Sequence, residues 1–195
     1  KTGTITRGRP SVTDLIPFEF DETELLTTLS GVEKDSLHPL AAAIAAEVRR
    51  RGVAPKRVSS FNTHAGRGVS ARLDGQKVLA GSVDFLVEQG VAIDEFPRAT
   101  IRSLEEAGRT IVACALGGRL VGIAGIFDSP REDAAAAVAQ LRRMGLRVGM
   151  ITGDNPRTAA AIAHNVGIEE VVAGVLPERK VSEVRRLQRE GHTVA

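Results

Sequence analysis

Gly149-Met150-Ile151-Thr152-Gly153-Asp154-Asn155-Pro156-Arg157-Thr158 reads as a buried strand that runs into a short polar turn and then a helix. The apolar run spans Arg147–Ile151. Thr152-Gly153-Asp154-Asn155 supplies a turn, a hydroxyl and a cap. Pro156 stands where a helix tolerates proline, at its first position, because the missing N–H has no intrahelical partner there. Ala159, Ile162, Ala163 and Val166 then recur at helical spacing, and Gly167 closes the helix. A helix that starts at the carboxyl end of a parallel strand offers N–H groups and a positive dipole end to an anion, most often phosphate. The plain alternative is an ordinary strand–loop–helix with a good cap.

Strand and helix alternate on both sides of this stretch. A helix buries Ala134, Ala137, Val138 and Leu141, a short strand follows at Val171–Ala173, and a helix runs from Pro177 to Glu190. That alternation predicts a doubly wound parallel sheet. Upstream of Asp128-Ser129-Pro130-Arg131 the pattern differs. An amphipathic helix from Asp21 to Lys34 carries Leu25, Leu26, Leu29 and Val32, and a second one after Pro39 carries Leu40, Ile44 and Val48. His38 precedes that proline and caps the second helix. Arg49-Arg50-Arg51 suits the negative end of the helix dipole.

From Arg57 the period becomes two. Val69, Ala71 and Leu73 alternate, Asp74-Gly75 turns, and Lys77–Ala80 returns. Gly66-Arg67-Gly68 stands before this hairpin and Gly81-Ser82 after it, and such glycines allow close backbone approach, to a ligand or merely within a bulge. A helix at Asp94–Ala107 and a hairpin of Thr110–Leu116 with Arg119–Ile126 complete an α+β unit built on an antiparallel sheet. Lys1–Arg7 has no partner in that unit and is expected to rejoin the later architecture. The middle unit is then an insertion.

Composition narrows the function classes. The 195 residues are 43% hydrophobic and 26% charged with a net charge of +2, the profile of a soluble globular chain. With no Trp or Tyr and only six Phe, stacking platforms for bases are scarce, and no nucleic-acid partner is expected. The single cysteine, Cys114, rules out an internal disulfide and reads as a buried thiol. Ile111–Phe127 is apolar but broken by Gly117-Gly118-Arg119, so it reads as a hairpin and not a membrane span. No signal peptide is seen. Lys1-Thr2-Gly3-Thr4 opens on a turn and Gly191–Ala195 stops at the start of an apolar strand, so both ends read as cuts in a longer chain.

Three motifs in one order, Lys1-Thr2-Gly3-Thr4-Ile5-Thr6, Thr152-Gly153-Asp154-Asn155 and Leu176-Pro177-Glu178-Arg179-Lys180, resemble the signature set of the P-type ATPases. The resemblance covers essentially the whole chain. It implies an α/β phosphorylation domain of haloacid-dehalogenase type, Rossmann-like and here incomplete, at residues 1–8 and 128–195, interrupted by a nucleotide-binding domain at 9–127. It implies ATP and Mg²⁺ as substrate and cofactor, and an aspartyl phosphate formed on an aspartate placed just before Lys1, outside these residues. By motif, Lys1, Thr2, Thr4, Thr152, Gly153, Asp154 and Lys180 form the catalytic set. Thr2 would offer its carbonyl to Mg²⁺ and Thr4 would contact the phosphoryl group. Thr152 and Gly153 would bind its oxygens and Lys180 would neutralise its charge.

Within the family, His38-Pro39 with Glu33 five residues earlier resembles the adenine site of the heavy-metal-transporting branch, with copper favoured and Zn²⁺ or Cd²⁺ as alternatives. Gly66, Gly68, Gly81 and Ser82 would complete the nucleotide site. Ser82 stands where many members have asparagine, and Leu37 replaces an acidic residue. The second Mg²⁺-binding acidic motif, expected soon after Ala195, is not among these residues, so the chain itself is expected to bind nucleotide without forming a phosphoenzyme. The implied partners are the transmembrane and actuator domains of the same parent chain, with the transported ion bound elsewhere. The implied location is the cytoplasmic side of a membrane-embedded transporter. Two other classes fit parts of the pattern: a soluble phosphatase of the haloacid-dehalogenase type, and a nucleotide-binding regulatory module.

Overall fold

A computed structural model describes residues 1–34, 39–175 and 177–194, with backbone alone at 177 and 178. The chain divides into two compact units, Arg9–Ser129 and Lys1–Gly8 with Pro130–Ala195.

The unit of residues 9–129 is built on an antiparallel sheet whose middle strands are buried on both faces. In chain order it contains β1 (Ser11–Pro17), α1 (Glu22–Glu33), α2 (Pro39–Arg51), β2 (Ser59–His64), β3 (Gly68–Leu73), β4 (Gln76–Gly81), α3 (Val83–Glu88), α4 (Glu95–Glu106), β5 (Thr110–Leu116) and β6 (Arg119–Phe127). The sheet order is β1-β6-β5-β4-β3-β2. Alternation along each strand sorts its residues between two cores. Val69, Ala71, Val78, Ala80, Val112 and Cys114 join the core that contains Leu25, Leu29, Val32 and Ile44 of α1 and α2. Leu79, Ile111, Ala113, Ala115 and Ile123 join the other, with Phe85, Leu86 and Ile101 of α3 and α4.

Several local expectations are met for the expected reasons. Asp21 caps α1, its Oδ1 accepting the Glu24 N–H at 2.7 Å. The β3–β4 hairpin turns on Asp74 and Gly75, both left-handed at φ 49° and 81°, as a two-residue primed turn requires. Ile111–Phe127 is the β5–β6 hairpin. Among the described residues no helix is long and apolar enough to cross a membrane.

Three differences stand out in this unit. Leu25 to Glu33 is buried all round and not on one stripe, because α1 packs against α2 and the sheet at once. Leu40 is only half-buried. Arg50 and Arg51 turn back to grip Glu47, at 2.6 and 2.8 Å, in place of a simple dipole role. The Arg50 bond, with Arg51, holds the Glu47 carboxyl down at about 2.

Cys114 is fully buried, and burial pushes its thiol up to about 12. The thiolate is the reactive form. A thiol-exchange reagent is therefore expected to leave the native chain unmodified and to consume one equivalent in denaturant. Rapid labelling of the native chain would place Cys114 outside the core.

The second unit contains the opening segment, α5 (Ala134–Arg143), β7 (Gly149–Ile151), α6 (Pro156–Val166), β8 (Glu170–Val172) and α7 (Pro177–Arg189). The opening segment does join it: Thr6 forms an antiparallel bridge with Pro130, and the Arg131 N–H donates to the Ile5 carbonyl at 2.9 Å. Gly167 closes α6 in the left-handed conformation, φ 77°. Ala134, Val138, Met150, Ala159, Ile162, Ala163, Val166 and Ile168 make the core.

The parallel sheet here is smaller than the alternation suggests. Only β7 and β8 pair among the described residues, and the strands are three residues each, at 149–151 and 170–172. A two-stranded sheet gives α5 little to cover, so Ala134 and Val138 are buried while Ala137 and Leu141 are exposed. Residues 191–194 form no strand, since no described neighbour offers them a ladder.

Candidate functional site

The turn from β7 into α6 is pinned by the sheet on both sides. Thr152, 3% exposed, donates its N–H to the Val172 carbonyl at 2.9 Å and accepts the Val175 N–H on its own carbonyl at 3.0 Å. Its hydroxyl donates to Asp154 Oδ2 at 2.5 Å and accepts the Asp154 N–H at 3.2 Å. The Asp154 carbonyl accepts from the Gly174 N–H at 2.8 Å.

The start of α6 differs from the expected open anion site. Pro156 has no N–H, and Asn155 Oδ1 accepts from both Arg157 N–H and Thr158 N–H at 3.0 Å. Ala159 N–H closes on the Asn155 carbonyl at 3.0 Å. The cap that makes the helix start legible also uses up the donors that were to bind an anion. Both donors of Thr152 are engaged as well. The Gly153 N–H has no protein acceptor among the described residues, which leaves it the open donor of this turn.

Lys1 meets this turn from the other end of the sequence. Its Nζ lies 2.7 Å from Asp154 Oδ2, with the two side chains only 5% and 15% exposed. Asp154 Oδ2 thus collects a cation and a hydroxyl at once. The Lys1 carbonyl accepts the N–H groups of Thr4, Ile5 and Thr6 at 3.2, 2.9 and 3.2 Å. The fully buried Thr6 donates its hydroxyl to the same carbonyl at 3.4 Å and accepts the Gly3 N–H at 3.3 Å. Thr2 and Thr4 are exposed at the rim of this loop. Lys180 is exposed on α7. Lys1, Thr152, Gly153 and Asp154 therefore cluster.

Mg²⁺ takes six oxygens in near-octahedral array, usually with one or two carboxylates. Among the described residues no group of three or more His, Cys, Asp or Glu could hold a metal ion. The Thr2 carbonyl would supply one oxygen by motif, and Asp154 is paired with Lys1. These residues do not by themselves form a Mg²⁺ site.

In the other unit, Gly66, Gly68, Gly81 and Ser82 come together where the start of β3 pairs with the end of β4. Gly68 and Gly81 are register partners, and the Ser82 N–H donates to the Arg67 carbonyl at 2.9 Å. A Cβ on Gly68 would lie 2.4 Å from the Ala80 carbonyl oxygen and 2.7 Å from Phe85 Cδ1. One on Gly81 would lie 2.5 Å from the Arg67 carbonyl oxygen. Internal packing alone thus demands glycine at 68 and 81. Gly66 is left-handed at φ 69° in a turn closed by Arg67 N–H to the His64 carbonyl, 3.0 Å.

Ser82 caps α3, its Oγ accepting the Phe85 N–H at 3.2 Å. Asparagine caps equally well, so the serine keeps the local structure. Glu33 is buried at the end of α1, a helix packed against β3 and β4. His38 and Leu37 lie outside the described residues.

Sequence reasoning missed His64 and Phe85. His64 Nε2 stands 3.0 Å from Ser70 Oγ, and its ring lies 4.8 Å from the Phe85 ring at 44°. The available signal was Ser82 followed by Asp84 in a first turn, which marks the start of the short helix that carries Phe85.

A family model described as haloacid dehalogenase-like hydrolase matches residues 1–195. A probable copper-exporting P-type ATPase V of Mycobacterium tuberculosis is 45% identical over 196 residues, spanning 100% of this chain and 26% of its own length. Copper-transporting ATPase 2 of Rhizobium meliloti is 41% identical over 196 residues, again 100% of this chain and 24% of its own length. The chain thus spans about a quarter of the length of these curated relatives. Among solved structures, a zinc-transporting PIB-type ATPase in an E2.Pi state aligns with a TM-score of 0.65 at 38% identity. That alignment covers 97% of this chain and 30% of the other. The catalytic domain of the CPx-ATPase CopB-B, at 23% identity, shows the same fold with a TM-score of 0.73 over 98% of this chain and 66% of its own. The chain belongs to the haloacid dehalogenase-like hydrolases, and its full-length likeness is to the heavy-metal branch of the P-type ATPases.

Proposed function

We propose that these residues are the nucleotide-binding and phosphoryl-handling part of an ATP-driven heavy-metal transporter that works through an aspartyl phosphate. Cu(I) is the favoured ion, with Zn²⁺ or Cd²⁺ as the alternatives, and ion choice is set by ligands elsewhere in the longer protein. Residues 9–127 take the nucleotide, with Glu33, His38, Gly66, Gly68, Gly81 and Ser82 around it. Residues 1–8 and 128–195 handle the phosphoryl group. The transmembrane and actuator domains are the partners of this cytoplasmic segment.

The observation that carries this reading is the buried meeting of Lys1 with Thr152 and Asp154, two motifs 153 positions apart in sequence. Phosphoryl transfer asks a protein mainly for position and charge. The Gly153 N–H is the open donor, and Lys180 is an exposed cation on α7. The Lys1–Asp154 pair is internally neutral, which leaves Lys180 to balance an incoming anion. Bound Mg²⁺ would neutralise phosphate charge, with Thr2 as one of its ligands.

Titrating the chain with ATP while following backbone amides tests the nucleotide half. Saturable shifts at Gly66, Gly68, Gly81 and Ser82 are expected, with adenosine diphosphate shifting the same set. A chain that binds no adenine nucleotide would favour the phosphatase reading and overturn this one.

A further inference from the structure

A closed circuit of four contacts surrounds the paired glycines of the sheet unit. The His64 carbonyl accepts the Arg67 N–H at 3.0 Å, and the Arg67 carbonyl accepts the Ser82 N–H at 2.9 Å. The Ser82 hydroxyl accepts the Phe85 N–H at 3.2 Å. The Phe85 ring, 1% exposed, then returns to the His64 ring at 4.8 Å. Gly66, Gly68 and Gly81 lie within this circuit and Ser82 is one of its members.

Two features show that His64 is the fastener. Phe85 fills the space that side chains at 68 and 81 would need, and the same ring meets the imidazole. His64 is also tied sideways, Nε2 to Ser70 Oγ at 3.0 Å, across the β2–β3 pair where Asn62 faces Ser70 and His64 faces Gly68. The other three links of the circuit use backbone groups or the Ser82 hydroxyl at the exposed start of α3. His64 closes it with a half-buried ring, on β2, an edge strand of the sheet.

We propose that His64 is a positioning residue of the nucleotide site: its ring, held against Phe85, keeps the 64–67 turn and the 81–82 strand end as one preformed piece. This rests on the nucleotide reading above and assigns His64 no contact with the ligand. A turn that is already ordered spares the ligand the entropy of ordering it, and that difference appears directly in affinity. His64 lies at the edge of the sheet, where its loss removes little of either core. Affinity and global stability are therefore expected to separate.

Calorimetric titration of the 195-residue chain with ATP tests this. His64→Ala is expected to weaken binding about tenfold with an unchanged unfolding midpoint. His64→Phe keeps a ring on Phe85 but cannot bond Ser70, and it is expected to restore binding to within about twofold of the parent. Should the alanine variant unfold, His64→Leu, which retains bulk without a ring, is expected to show the same weakening. Parental affinity in His64→Ala or His64→Leu overturns the proposal while the nucleotide reading stands. A phenylalanine variant as weak as the alanine variant also overturns it. A parent chain that binds no ATP removes both.

Discussion

Lys1→Met is expected to destabilise the unit of residues 1–8 and 130–195 by about 3 kcal/mol, because it takes the cation away from a half-buried carboxylate. The ammonium and carboxylate lie 2.7 Å apart with side chains 5% and 15% exposed, so water cannot replace the lost partner cheaply. Asp154 Oδ2 also accepts the Thr152 hydroxyl, so the loss spreads into the turn before α6. The check is a urea transition read by hydrogen exchange of α6 amides, which reports this unit separately from the sheet unit. Removing both charges in a Lys1→Met, Asp154→Leu double variant is expected to cost less than the sum of the single changes. Strictly additive losses would mean that the pair is not coupled in solution.

Gly68→Ala is expected to cost the sheet unit about 3 kcal/mol and to abolish nucleotide binding with it. The added methyl would meet the Ala80 carbonyl oxygen at 2.4 Å, Phe85 Cδ1 at 2.7 Å and Gly81 Cα at 2.9 Å. Two of these neighbours are backbone in a paired ladder and cannot step aside without breaking register with β4. The unfolding midpoint of Gly68→Ala distinguishes internal packing from ligand approach as the reason for this glycine. If Gly68 served only the approach of a ligand, the variant would unfold at the parental denaturant concentration and merely bind more weakly. A lowered midpoint in chemical denaturation, measured without nucleotide, identifies internal packing as the first requirement.

Much of the local structure was legible because it depends on neighbours in sequence. Asp21 and Asn155 cap helices, Gly167 ends one, and Asp74-Gly75 turns a hairpin, each through groups a few residues away. The two edge strands were not legible. Ser11–Pro17 and Ser59–His64 are polar or half-exposed, and they become strands by pairing with β6 and β3. The same holds for the candidate site. Its residue types could be read from the motifs, but not the engagement of both Thr152 donors, nor the capture of the α6 N–H groups by Asn155.

The sequence by itself determined the two-part layout, the antiparallel hairpins, the strand–turn–helix at 149–166 and the family likeness, since these are patterns of period, punctuation and motif. Tertiary structure alone decided that Lys1 is spent on Asp154, that glycine at 68 and 81 answers to Phe85 and the facing backbone, and that His64 fastens the turn between them. The reason is range. Capping and turn chemistry act over a few residues, whereas a buried ion pair or a ring contact depends on which distant segments the fold brings within about 5 Å of each other.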